Sequence, residues 1–138
     1  MKPWAVARSV VWLVFAALVG CNVAGTVIDV SGTETWVSDM RVSGDGTLKI
    51  ITGNAIQRVP LEAFESILLF PNETRTIDGD FCFLAEIVMR DGTRLAARDK
   101  PHDNAPRTFI SVNQTLTGTC QRGSFSADLA TISKITFR

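Results

Sequence analysis

Tyrosine is absent from these 138 residues, histidine occurs once, as His102, and no basic patch or run of like charges appears. Each absence removes a class of function. Nucleic-acid binding needs clustered Lys and Arg, whereas 14 basic residues here balance 14 acidic ones. Carbohydrate- and peptide-binding surfaces lean on Tyr and Trp, and only three Trp remain to serve them. Catalysis through imidazole would have to use His102, which stands in a proline-flanked polar stretch with no nucleophile beside it. Neither a Gly-x-Ser-x-Gly elbow nor a glycine-rich phosphate loop occurs. Glu62, Glu65, Glu73 and Glu86 are the candidates for a glycosidase carboxylate pair, but surface carboxylates are the ordinary case. The chain is therefore expected not to be an enzyme and to need no cofactor. A hydrolase using His102 is the catalytic alternative.

The most informative stretch is Leu18-Val19-Gly20-Cys21. It closes an apolar run, Val10 to Val19, that follows a basic start containing Lys2 and Arg8. That run is about half of the ~20 residues a membrane-spanning helix needs, so the pattern is that of a secretory signal. It also lacks the polar face of a soluble helix. With cysteine directly after Leu-Val-Gly, the segment resembles the lipobox of bacterial lipoproteins. An ordinary signal peptide cut nearby is the alternative. The resemblance covers residues 1–21 and implies a diacylglycerol thioether on Cys21, cleavage before it and palmitate-type acylation of the new amino group. Asn22 stands where inner-membrane lipoproteins of enterobacterial type carry Asp. By that rule the protein is expected at the outer membrane, facing the periplasm; in a Gram-positive host the same motif implies the cell surface.

The expected organisation is a signal peptide over 1–20, a lipidated N-terminus and tether over 21–26, and a single β-domain over 27–138. Removing residues 1–20 and their two positive charges leaves 118 residues with 12 basic and 14 acidic side chains. One modest core is expected.

With Cys21 lipidated, Cys82 and Cys120 form an even pair in an exported chain, which reads as a disulfide. Its loop of just under 40 residues would contribute about 4 kcal/mol in the chain-entropy model. Two buried free thiols are the alternative. No metal is expected, because paired cysteine spacing is missing and His102 is the sole imidazole. Arg98 to Pro106 is the most polar stretch, and Asp99, Asp103 and Asn104 could contribute to a calcium site. A solvated loop is the favoured reading, since a calcium cage needs six to eight oxygens. Pro71 to Asp80 reads as a second polar loop.

Between these loops the punctuation is that of strands. Trp36 to Val42 alternates, with Trp36, Met40 and Val42 expected on one side. Gly53-Asn54 is a two-residue hairpin turn, and Asp91-Gly92 is a strong hairpin signal. Phe81 to Arg90 is apolar on both alternating faces and reads as a central strand. Within it Glu86 is the lone acid, expected on a partly solvated face. The fold class is all-β, an antiparallel sandwich or small barrel of about 8 strands. Leu61, Phe64 and Ile67 share spacing with Leu129, Ile132 and Ile135, 68 positions on. A quasi-repeat is read here: a hairpin, a single helical or 3₁₀ turn, then a strand.

The functional expectation is a membrane-anchored envelope lipoprotein whose β-domain is a structural or protein-interaction module. The membrane is one partner, through Cys21, and an envelope protein the other. A periplasmic carrier of a small lipid or glycan is the second expectation. Tethering raises the effective concentration near membrane partners without any new contact.

Overall fold

The computed structural model describes residues 23–96 and 106–138; the expected signal segment, Cys21 and His102 lie outside them. The strands are β1 (Gly25–Asp29), β2 (Glu34–Val42), β3 (Thr47–Thr52), β4 (Ala55–Pro60), β5 (Phe64–Ile77), β6 (Asp80–Met89), β7 (Arg94–Leu95), β8 (Thr108–Ser111), β9 (Thr115–Cys120), β10 (Gly123–Asp128) and β11 (Ile132–Phe137). Two 3₁₀ turns, Leu61–Ala63 and Leu129–Thr131, precede β5 and β11. All the strands join one antiparallel sheet in the order β10-β9-β2-β1-β11-β5-β6-β8-β3-β4, with the short β7 beside β6. The sheet curls into a half-barrel rather than forming a sandwich. The expected all-β class holds, with 11 strands in place of about eight.

The concave face carries the core. Leu48, Phe64, Ile67, Ile87, Leu116 and Ile135 are fully buried there. Burying such side chains contributes roughly 1.5–3 kcal/mol each relative to exposure. β6 is central as expected, paired with β5 and β8, and Glu86 is exposed. Two local readings are corrected. Pro71–Asp80 is no loop: β5 continues to Ile77 through a bulge between Phe70 and Thr74, then turns at Asp78-Gly79. Both turn residues have positive φ (51° and 81°), the geometry of a tight hairpin. In β2 it is Val37, not Trp36, that joins Met40 and Val42 inside; Trp36 is 49% exposed. Asp39 has φ 54°, and the register with β9 shifts between Ser38 and Arg41. A bulge adds one residue and inverts the alternation upstream of it, so Trp36 faces outward.

The quasi-repeat is present in the structure. β9, β10, the second 3₁₀ turn and β11 begin at 115, 123, 129 and 132; their counterparts begin at 47, 55, 61 and 64, each 68 positions earlier. Both turns close the same way, with the N–H of the residue after the turn (Phe64 or Ile132) donating to the Leu61 or Leu129 carbonyl. At the centre β11 pairs with β5 so that Ile135 faces Ile67, its own counterpart. A pseudo-twofold axis therefore passes through this pair. It exchanges β1 with β6 and β2 with β7 plus β8, and it exchanges the two edge strands β4 and β10.

Candidate functional site

The expected disulfide is not formed: Cys82 and Cys120 are free thiols. Cys82 lies on central β6 and packs outward with Ile51, Leu84 and Phe109. Cys120 ends β9 beside the turn to Gly123. From β9 to β6 the sheet passes through β2, β1, β11 and β5. At about 4.8 Å per ladder step this exceeds the ~7 Å that a disulfide spans between Cα atoms. The Cys82 thiol donates to the Asp80 carbonyl at 3.5 Å. Burial, and then the Asp80 charge, push its pKa above the ordinary thiol value.

The four glutamates are all exposed, and Glu73 is held by Arg107 at 2.8 Å. Asp99, His102, Asp103 and Asn104 lie outside the described residues. Among the described residues no group of three His, Cys, Asp or Glu side chains is placed to hold a metal.

Two clefts break the pseudo-symmetry. The first is polar and lies on the convex side of the β5-β6-β8-β3-β4 arm of the sheet, with a volume near 240 Å³. Across it, Lys49 Nζ meets Asp80 Oδ2 at 2.7 Å, and Asn113 Nδ2 reaches Asp80 Oδ1 at 3.5 Å. The Lys49 hydrogen bond holds the Asp80 carboxyl below its usual value, against a smaller opposing effect of burial. Arg58 approaches Asp45 at 3.6 Å on the rim. Beside this cleft, Phe70, Leu84, Phe109, Ile51 and Ile56 form an apolar row across five strands, in direct register. Arg75 lies 4.6 Å above the Phe109 ring. The corresponding row in the other arm contains Ser38, Thr119 and Ser124. Lys49 interrupts the apolar run of β3, the signal that sequence reading passed over.

The second cleft opens between the β1–β2 hairpin and edge strand β10, again near 240 Å³. Val27 and Ile132 floor it, Phe125 and Ala127 form one wall, and Asp29 and Thr35 stand opposite. Asp29 Oδ1 accepts hydrogen bonds from Ser31 N–H (2.9 Å), the Ser31 hydroxyl (2.6 Å) and Thr33 N–H (3.0 Å). These bonds, the Ser31 hydroxyl first, lower its pKa and keep it charged. The matching turn in the other half has the same backbone network. Asp29 N–H donates to Thr33 O and Val30 N–H to Thr131 O, just as Met89 N–H donates to Thr93 O and Arg90 N–H to Ala63 O. Position by position, Met89 replaces Asp29, Leu95 replaces Thr35, Phe64 replaces Ile132 and Val59 replaces Ala127. Met89, Leu95 and Val59 pack onto the core there. The smaller or more polar member of each of these pairs lines the cleft of the β10-β9-β2-β1-β11 arm.

No protein-family model matches this chain, and no curated protein is similar enough to count as a relative.

Proposed function

We propose that this chain is a lipid-anchored protein of the bacterial envelope whose β-domain works as a protein-interaction module. The lipobox resemblance of Leu18 to Cys21 supplies the anchor. The observation that carries the reading beyond the sequence is how soon after Cys21 the fold begins. Val23 is 6% exposed, and its carbonyl accepts the Met40 N–H at 2.8 Å. A lipid on Cys21 would hold one end of the half-barrel against the bilayer, the end bearing Val23, Gly44–Gly46 and Glu62. β1 runs away from that end for five residues, roughly 16 Å at 3.3 Å per residue. The β1–β2 turn and the cleft beside it would then face outward, toward partners. Two sheet edges, β4 and β10, have no neighbouring strand among the described residues.

A small-ligand carrier is the second reading, favoured by a wide cleft near 400 Å³ beside Val23, lined by Met40, Val42 and Leu61. Catalysis has no part in either reading. The decisive experiment is Cys21→Ser in a bacterial host. The wild-type protein should fractionate with membranes and carry diacylglycerol by mass spectrometry, while the variant becomes soluble. A variant that stays with membranes beside an unlipidated wild type would overturn the anchor.

A further inference from the structure

We infer that β10 is a docking edge for an extended peptide segment of a partner protein, one that places an apolar side chain in the adjacent cleft and a basic side chain near Asp29. The inference rests on the interaction-module reading and gives that module a site and a ligand chemistry. Four observations converge.

The first is the open ladder. β10 pairs with β9 on one side and with no strand on the other among the described residues. Cys120 and Gly123 flank a two-residue turn, so theirs is the hydrogen-bonded pair of the hairpin. Alternation then points the backbone groups of Ser124 and Ser126 outward. A peptide adding there gains main-chain hydrogen bonds, and side-chain pockets supply specificity.

The second is the contrast with the other edge. Native sheets guard exposed edges with Lys, Arg, Pro or a bulge. β4 has Arg58 and Pro60. β10 reads Gly-Ser-Phe-Ser-Ala-Asp and has no basic residue, no proline and no register shift against β9. One edge is guarded along its length, whereas its pseudo-symmetric mate carries a single charge, Asp128, at its last residue.

The third is the cleft itself, floored by buried Val27 and Ile132 and walled by Phe125 and Ala127 of β10. In the other arm of the sheet Met89, Leu95, Phe64 and Val59 stand at the positions of Asp29, Thr35, Ile132 and Ala127, and Gln57 stands at that of Phe125. A volume near 240 Å³ suits one aliphatic side chain.

The fourth is charge. Among the described residues Asp29 is the sole charged residue lining the cleft, fixed by its three hydrogen bonds. In an extended peptide, residues two apart share a face about 6.6–6.8 Å apart. An apolar anchor in the cleft therefore places a basic neighbour, two residues along, on the Asp29 side.

The test uses the detergent-solubilised full-length protein and a fluorescein-labelled heptapeptide. Threonine occupies its odd positions, leucine its centre, and lysine the position two before and two after the leucine. Fluorescence polarisation should show saturable binding below about 1 mM, the range of a single short strand. Thr35→Leu, which copies the Leu95 of the other half, should fold normally and weaken binding at least about tenfold by filling the cleft. Ser126→Pro should do the same by removing an edge donor, and Arg58→Pro, the equivalent outward-facing position on β4, should leave binding intact. Peptides with serine for leucine, glutamate for lysine, or an N-methylated backbone should each bind at least about tenfold more weakly. If Ser126→Pro fails to fold, Thr35→Leu and the N-methylated peptide still decide. Absence of binding, equal binding by Thr35→Leu, equal binding of the glutamate peptide, or loss through Arg58→Pro would each overturn the inference. So would a dimer that Ser126→Pro dissolves, since a second copy would then own the edge. Peptide failure in a protein that is lipidated on Cys21 would sink this inference alone and leave the anchored reading standing.

Discussion

At the scale of single residues, the Lys49–Asp80 pair is the best-built electrostatic contact. Lys49 is 14% exposed and Asp80 30%, so solvent screens the pair incompletely. Because the hydrogen bond from Lys49 lowers the Asp80 pKa, the folded protein holds that proton less tightly than the unfolded chain does. The resulting stabilisation is complete above the ordinary carboxyl value of 3.8 and is lost as pH falls below it. Asp80→Asn should therefore cost about 1 kcal/mol at pH 7, a gap that closes in urea titrations as pH approaches about 2. A pH-independent gap would assign the effect to packing. Lys49 was legible as a charge in an apolar run; its partner was not, since Asp80 lies 31 positions away. Cys82 teaches the converse. An even cysteine count favoured a bond, but topology put four strands between the two sulfurs, and Cys82 instead fills an apolar cluster.

At the scale of elements, the turns were the most legible features. Gly53-Asn54 and Asp91-Gly92 stand where read, because Gly53 and Gly92 adopt positive φ, 61° and 92°, at no Cβ cost. Leu61, Phe64 and Ile67 read as one helical turn, and the structure supplies a single 3₁₀ turn before β5. The length of β5 was hidden, since Pro71, Asn72 and Glu73 look like a loop and are a bulge in a strand. Comparing the halves exposes one more feature. β2 is continuous over nine residues, whereas its counterpart is split into β7 and β8. Val27 corresponds to Ile87 but Val37 to Thr108, so residues 97–107 are an insertion relative to the first half. Its ends already meet, Thr108 N–H donating to Ala96 O at 3.1 Å. Joining Ala96 directly to Thr108 should leave a folded domain, with the melting temperature lowered by less than about 8 °C, the equivalent of roughly 1–2 kcal/mol. An unfolded product by circular dichroism would show that the insertion is part of the core. The same deletion removes His102, so preserved biological function in that variant also argues against a catalytic histidine.

At the scale of the whole molecule, the two halves are interlocked rather than juxtaposed. Within a half, pairing is limited to short-range ladders such as β1·β2, β3·β4 and β9·β10. The ladders that close the sheet, β1·β11, β2·β9, β3·β8, β5·β11 and β5·β6, all cross between halves. Expressed separately, residues 21–78 and 79–138 should each be unfolded by circular dichroism and amide exchange, because neither can cover its apolar face. A folded half would contradict the interlocked core. The sequence by itself determined the strand class, the turn positions and the 68-residue repeat. Each of these is written in local chemistry: alternation with period two, apolar spacing that recurs, and residues that tolerate positive φ. Only the tertiary structure decided which strands pair, that Trp36 points outward, that Cys82 and Cys120 stay apart, and that one of two equivalent positions became a cleft. Those outcomes depend on contacts between residues distant in the chain, where one bulge reverses a face and four side-chain volumes decide between a filled core and an open site.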